Sequence, residues 1–117
     1  MTAQRIGFLL WPQTRALTLA LAEEALRVAR RLHPEALYDP VFMSVEPSVE
    51  GEGWRLPGQS WQGMLEQCQR VFLVADEAPQ HISAPLAAAL KQLARGGVSI
   101  GALSAGIYPL AQLGLLD

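Results

Sequence analysis

The stretch VSIGALSAGIYPLAQLGLLD, residues 98–117, decides the fold. It opens with an apolar run, Val98–Leu103, whose Val, Ile and Leu suit a strand buried on both faces. Three small residues follow at once, Ser104-Ala105-Gly106, and they allow a tight turn where larger side chains would collide. Ile107–Leu116 is apolar again, but with helix-like spacing. Strand, sharp turn and helix together make the elbow of an α/β unit. In such sheets the apex of the turn stands above the carboxyl ends of the strands, where ligands bind. Ser104 is that apex. The backbone N–H groups of Ala105 and Gly106 are expected to form a small anion-binding nest beside it.

These residues leave three roles for Ser104 open. As a hydrolase nucleophile it needs a base, and the usual elbow carries Gly two residues earlier, where this chain has Ala102. As a ligand-binding hydroxyl it needs only a pocket. As a structural serine it caps the helix that follows.

Toward the amino end, Ser83-Ala84-Pro85 has the form of a helix start, Leu86, Leu90 and Leu93 its buried stripe, and Gly96-Gly97 its stop. Arg70–Ala75, RVFLVA, is a buried strand. It runs into the loop 76–81 at the same carboxyl edge, so Asp76 and Glu77 are acidic groups in a ligand-binding position, and His81 a possible base. A solvated loop is the competing reading of all three. Trp61–Gln69 is expected to form a brief helix carrying Cys68, which lies between two glutamines and reads as a packed thiol. Glu46–Gly53 is acidic and turn-rich, an exposed excursion, with a short strand possible at Trp54–Leu56. Tyr38–Val45 and Arg5–Trp11 supply two more strands. The loop Pro12–Arg15 brings Gln13, Thr14 and Arg15 to the ligand-facing edge.

Ala16–Leu32 is the clearest helix. At 100° per residue, Leu17, Leu21, Ala25, Val28, Ala29 and Leu32 share one arc, expected to face the sheet, with Glu23, Arg27 and Arg30 opposite. Glu24 lies at the edge of that arc, so its carboxylate is expected to be partly buried. Two accounts fit: an ion pair with Arg27 or Arg31, or a carboxylate aimed into a site.

Alternation of strands and helices implies an α/β fold, a parallel sheet with helices on both faces. Counting the four sheet strands in chain order, the expected spatial order is 2-1-3-4, with the switch point between the first and third. The last strand is very apolar for an edge, so residues 1–117 read as a single partial, truncated domain.

Bulk properties narrow the function. The chain has 117 residues, half of them hydrophobic and 17% charged, which is a globular composition. A net charge of −2 with no basic run gives nucleic acid no electrostatic footprint. One cysteine excludes a disulfide framework, and the two histidines have no metal-ligand spacing, so no metal or cofactor is expected. No signal-peptide pattern or membrane-length apolar run is present, which makes the cytoplasm the default and a membrane partner unexpected.

Three segments carry a family resemblance: IGFLLWP at the start, EEALRVARRL on the first helix, and ALKQLARGGVSIGALSAGIYPLAQLGLLD at the end. Together they resemble the amino-terminal sensor domain of AraC-type transcriptional regulators, in the branch built on the flavodoxin-like, class I glutamine amidotransferase-like (PfpI-like) fold. The closing segment looks most like that of an arginine-responsive member. In catalytic relatives the elbow residue is a cysteine with a glutamate beside it. The resemblance puts Ser104 in the cysteine position and Glu24 in that of the glutamate, which argues against the family's thiol chemistry. It implies a non-enzymatic domain that binds a small cationic effector such as L-arginine, with Glu24, Asp76 or Glu77 for the cation and Ser104, Ala105 and Gly106 for its carboxylate. It also implies a homodimer, and contact with DNA only through a helix-turn-helix domain outside this chain. The competing class is a serine hydrolase or amidase-like enzyme using Ser104.

Overall fold

The computed structural model describes residues 4–12, 14–34, 38–45, 48–51, 54–57, 60–76, 82–104 and 106–114. In chain order these form β1 (Gln4–Leu10), α1 (Ala16–Leu32), β2 (Tyr38–Ser44), β3 (Ser48–Gly51), β4 (Trp54–Pro57), β5 (Arg70–Ala75), α2 (Ala84–Arg95), β6 (Ser99–Ser104) and α3 (Ile107–Gln112). A single 3-10 turn, Leu65–Gln67, precedes β5.

The apolar runs β1, β2, β5 and β6 pair into one sheet in the order β2-β1-β5-β6, every pairing parallel. This is the order expected from the sequence, and the order in which successive strands are added reverses between β1 and β5. Leu9, Leu10, Leu73 and Val74 are buried completely at the sheet centre. Gly7 of β1 makes room for its neighbours, since a Cβ there would stand 2.6 Å from the end of Met43 and 2.8 Å from Cys68 Sγ.

The two faces are covered unequally. On one, α2, α3 and the 3-10 turn pack Leu65, Leu86, Leu90, Leu110 and Leu113 against Leu9, Met43, Val71 and Leu73. On the other, among the described residues, α1 is the helix that lies over Ile6, Phe8, Leu10 and Val74. A row of rings crosses this second face, with Phe8 stacked between Phe42 at 5.2 Å and Phe72 at 5.7 Å. Cap chemistry fixes α2 as expected: the Ser83 hydroxyl accepts the Leu86 N–H, with Pro85 in the first turn.

Three expectations need correcting. The excursion 46–53 includes a strand, since β3 pairs antiparallel with β4 as a two-stranded hairpin apart from the main sheet. The helix expected at 61–69 contracts to the 3-10 turn, after which Cys68 is buried.

The third correction concerns α1. Its sheet-facing stripe is Thr18, Leu19, Ala22, Leu26 and Ala29, each half-buried, and no residue of the helix is fully buried. Most of the arc expected to face inward points outward: Leu17, Leu21, Val28 and Leu32 are 68, 62, 42 and 70% exposed. Two apolar stripes lie side by side on this helix, and periodicity cannot say which one turns in. Among the described residues no helix is long and apolar enough to cross a membrane.

Candidate functional site

Parallel pairing brings the carboxyl ends of β1, β2, β5 and β6 to one edge, the edge where open α/β sheets bind ligands. Backbone bonds seam these ends together: the Trp11 N–H donates to the Val74 carbonyl at 3.1 Å, and the Val45 N–H to that of Leu10 at 3.2 Å. Thr14 is completely buried here. Its hydroxyl donates to the Trp11 carbonyl at 2.8 Å, with the Val74 carbonyl at 3.3 Å, and so ties β1 to β5. Of the three loop residues expected at the edge, Thr14 is therefore structural, Arg15 is exposed and Gln13 lies outside the described residues.

Asp76 lies at this edge, directly after β5, as expected. Its carboxylate is engaged within the protein. Arg15, the residue before α1, supplies no side-chain cap of its own. Asp76 replaces it from across the switch point, accepting the Arg15 N–H at 2.6 Å and the Thr18 hydroxyl at 2.9 and 3.0 Å. A carboxylate at a helix N-terminus satisfies an orphan donor and complements the helix dipole. Sequence reading missed Thr18. Its position in the first turn of α1, where capping contacts occur, was the available signal. Glu77 and His81 lie outside the described residues.

The elbow is where the sequence puts it. Ser104 is the last residue of β6, opposite Ala75 of β5. Gly106 follows so closely on β5 that a Cβ would stand 1.9 Å from the Leu73 carbonyl oxygen, which leaves glycine as the residue that fits. The Gly106 N–H donates to the Leu103 carbonyl at 3.0 Å, closing the turn internally. The expected nest is to that extent already engaged. Ala105 and the Ser104 side chain lie outside the described residues. The cap position of α3 falls at Gly106, without a side-chain cap, so the structure does not assign that position to Ser104.

Glu24 is half-exposed, contrary to its expected burial, because the arc beside it faces outward. Arg27 grips it bidentately, Nη2 donating to Oε1 at 2.6 Å and Nε to Oε2 at 2.9 Å. These hydrogen bonds, with the nearby charges of Arg27 and Arg31, hold the Glu24 carboxyl below its usual range, and the same hydrogen bonds with the Glu24 charge raise Arg27. The ion pair anticipated with Arg27 is thus formed. None of the described contacts joins Glu24 to the elbow.

Depressions lie on both faces of the sheet. An apolar trough of about 160 Å³ lies between α1 and the sheet, lined by Phe8, Ala22, Ala25, Leu26, Phe72 and Leu103, and it ends beside the elbow strand. A larger cleft of about 370 Å³ on the opposite face runs between Trp61–Glu66 and α2, and none of the expected site residues lines it. Among the described residues no three His, Cys, Asp or Glu side chains converge as a metal site. Of the two histidines, His33 lies just past the far end of α1 and His81 is outside the described residues.

No family model matches the chain. Individual proteins do. The chain is 75% identical over its whole length to the HTH-type transcriptional regulator ArgR of Pseudomonas aeruginosa, covering 36% of that protein. It is 33% identical over 97% of its length to the HTH-type transcriptional regulator GlxA of Rhizobium meliloti, again covering 36%. The chain thus spans about a third of the curated relatives it matches. In fold it resembles an AraC family transcriptional regulator from Pseudomonas putida, with a TM-score of 0.78 at 19% identity, over 95% of this chain and 71% of that one. It also resembles Drosophila melanogaster DJ-1beta, with a TM-score of 0.66 at 18% identity, over 97% of this chain and 62% of that one. The parallel sheet, the elbow after β6 and the sequence likeness along the entire chain agree: the chain is similar to a segment of HTH-type transcriptional regulators and shares its fold with the AraC family regulator and DJ-1beta structures.

Proposed function

We propose that this segment is the effector-sensing part of its regulator and carries out no catalysis. The effector is a small cationic metabolite, L-arginine in the first instance, received at the carboxyl edge near the elbow. The observation that carries the regulator reading is the 75% identity, end to end, with a relative named ArgR. That name also favours arginine among cationic effectors.

Chemistry within the chain supports the choice of a guanidinium. Glu24 already accepts one, in the two-bond geometry that carboxylates and guanidinium groups share. A ligand guanidinium can take the place of Arg27 without creating an unpaired charge, because the Arg27 side chain is free to turn into solvent. Asp76 is the weaker alternative, since its carboxylate already caps α1. Glu77, outside the described residues, is the remaining acidic candidate. Ser104 and the N–H groups of Ala105 and Gly106 would receive the carboxylate of the ligand, the Gly106 N–H by sharing its bond with Leu103.

The test is calorimetric titration with L-arginine of the wild-type protein and two variants. Losing one charge-assisted bond in Glu24→Gln is expected to weaken binding about tenfold to hundredfold. Ser104→Ala is expected to do less, because a neutral hydroxyl contributes about 0.5–1.5 kcal/mol. Unchanged affinity in a folded Glu24→Gln variant moves the binding carboxylate elsewhere. Ester or amide hydrolysis by the wild type, abolished in Ser104→Ala, overturns the non-enzymatic reading.

A further inference from the structure

The cleft between Trp61–Glu66 and α2 lies across the sheet from α1 and has no part in the effector reading. Its volume of about 370 Å³ is within the range of small-molecule sites. Both walls are held from within the fold. The Trp61 N–H donates to the Ser44 carbonyl at 3.1 Å, and the Trp61 carbonyl accepts the Met64 and Leu65 N–H groups at 3.2 and 3.1 Å. The other wall belongs to α2, fixed by its Ser83 cap and by the buried Leu86 and Leu90. A cleft whose walls are set before a ligand arrives loses little to ordering on binding.

The lining carries a particular chemistry. Leu65 and Leu93 make it apolar, and the half-buried Trp61 adds an indole ring. Two polar side chains line it as well, Glu66 and Gln92. The glutamines that follow Glu66 are used inside the chain: Gln67 donates to the Gly63 carbonyl at 2.9 Å and accepts from the Arg5 guanidinium, and the Gln69 side chain accepts the Arg5 N–H. None of the described contacts engages the Glu66 carboxylate or the Gln92 amide in this way. Glu66 is also the one ionisable group among the described lining residues, since Lys91 and Arg95 line the adjoining surface of α2.

We propose that this cleft binds a small organic monocation, an ammonium group on a flat apolar body, with no carboxylate of its own. The face of the Trp61 ring and the Glu66 carboxylate attract the same positive charge. Leu65 and Leu93 cover the apolar body, and the side-chain carbonyl of Gln92 is a further acceptor for the ammonium. A ligand carboxylate is repelled by Glu66 and meets no positive group among the described lining residues. That separates this class from amino acids such as L-arginine, so the inference stands independently of the effector reading.

Titration of the wild-type chain with phenylethylammonium, followed by amide and indole NMR shifts, tests the proposal. Saturable shifts are expected at the Trp61 indole and at residues 61–66 and 89–93, whereas phenylpropionate, of similar shape and opposite charge, is expected to give none. Glu66→Gln is expected to weaken binding about tenfold, as loss of one charge-assisted bond does. Trp61→Leu is expected to weaken it about fivefold through loss of the cation–π contact. Ala89→Leu, which fills the cleft from the α2 side, is expected to abolish the shifts while the far-ultraviolet circular dichroism is unchanged. The Glu66 and Ala89 variants decide the matter even if Trp61→Leu folds poorly. No saturable shift at tens of millimolar phenylethylammonium overturns the proposal. So does equal binding of phenylpropionate, unchanged affinity in Glu66→Gln, or L-arginine shifting the same residues at the same concentration.

Discussion

Replacing Asp76 with alanine tests how the carboxyl edge is held together. The Asp76 carboxylate spans the switch point, accepting the Arg15 N–H at 2.6 Å and the Thr18 hydroxyl at 2.9 and 3.0 Å. Removing an N-cap acceptor costs about 0.5–2 kcal/mol. Loss of the hydroxyl partner adds about 0.5–1.5 kcal/mol, reduced by how readily water replaces it at a half-buried site. The expected destabilisation is about 1–3 kcal/mol, which for a chain of this size lowers the melting temperature by roughly 5–12 °C. Asp76→Asn keeps one acceptor and is expected to lose less. Thr18→Val removes only the hydroxyl and is expected to lose about 1 kcal/mol or less. Urea denaturation followed by circular dichroism measures all three. A double-mutant cycle between positions 76 and 18 then isolates their coupling. Wild-type stability in Asp76→Ala, or zero coupling in the cycle, would falsify the capping role.

Two further outcomes follow from packing. Gly106→Ala puts a Cβ 1.9 Å from the Leu73 carbonyl oxygen, a backbone atom that cannot swing aside, so the elbow must move. The variant is expected to lose more than the roughly 1–3 kcal/mol typical of overpacking, seen as a lower urea midpoint, and a wild-type midpoint contradicts that. Cys68 is buried, and desolvation pushes its thiol up from the ordinary range. Folded protein is therefore expected to react slowly with a disulfide reagent at pH 8 and rapidly in denaturant. Fast reaction in the native state contradicts the packed reading.

The sequence made the strand runs, the parallel order and the elbow legible, because each depends on local composition and on short, right-handed connections. Leu17, Leu21, Val28 and Leu32 show where that reading stops. Periodicity locates an apolar face but does not say whether the sheet or a partner covers it, and α1 has two such faces. Asp76 shows a second limit. Its place at the ligand-facing edge was readable, but its cap contacts cross 61 and 58 residues of chain. Glu24 stands between the two cases: the pair with Arg27 is an i, i+3 contact and was readable, whereas its exposure depended on which way the helix turned. The β3–β4 hairpin escaped because Ser48–Gly51 has too few apolar residues to stand out as a strand.

The central claim, a cationic effector held at the elbow edge, is tested most directly by amide chemical shifts during titration with L-arginine. Saturable shifts are expected at residues 11–18, around Glu24 and Arg27, and at 103–107, with the Arg27 Nε signal changing as its carboxylate partner is taken. Saturable binding whose shifts cluster instead on the cleft between Trp61–Glu66 and α2, or the absence of any shift at millimolar arginine, contradicts the account.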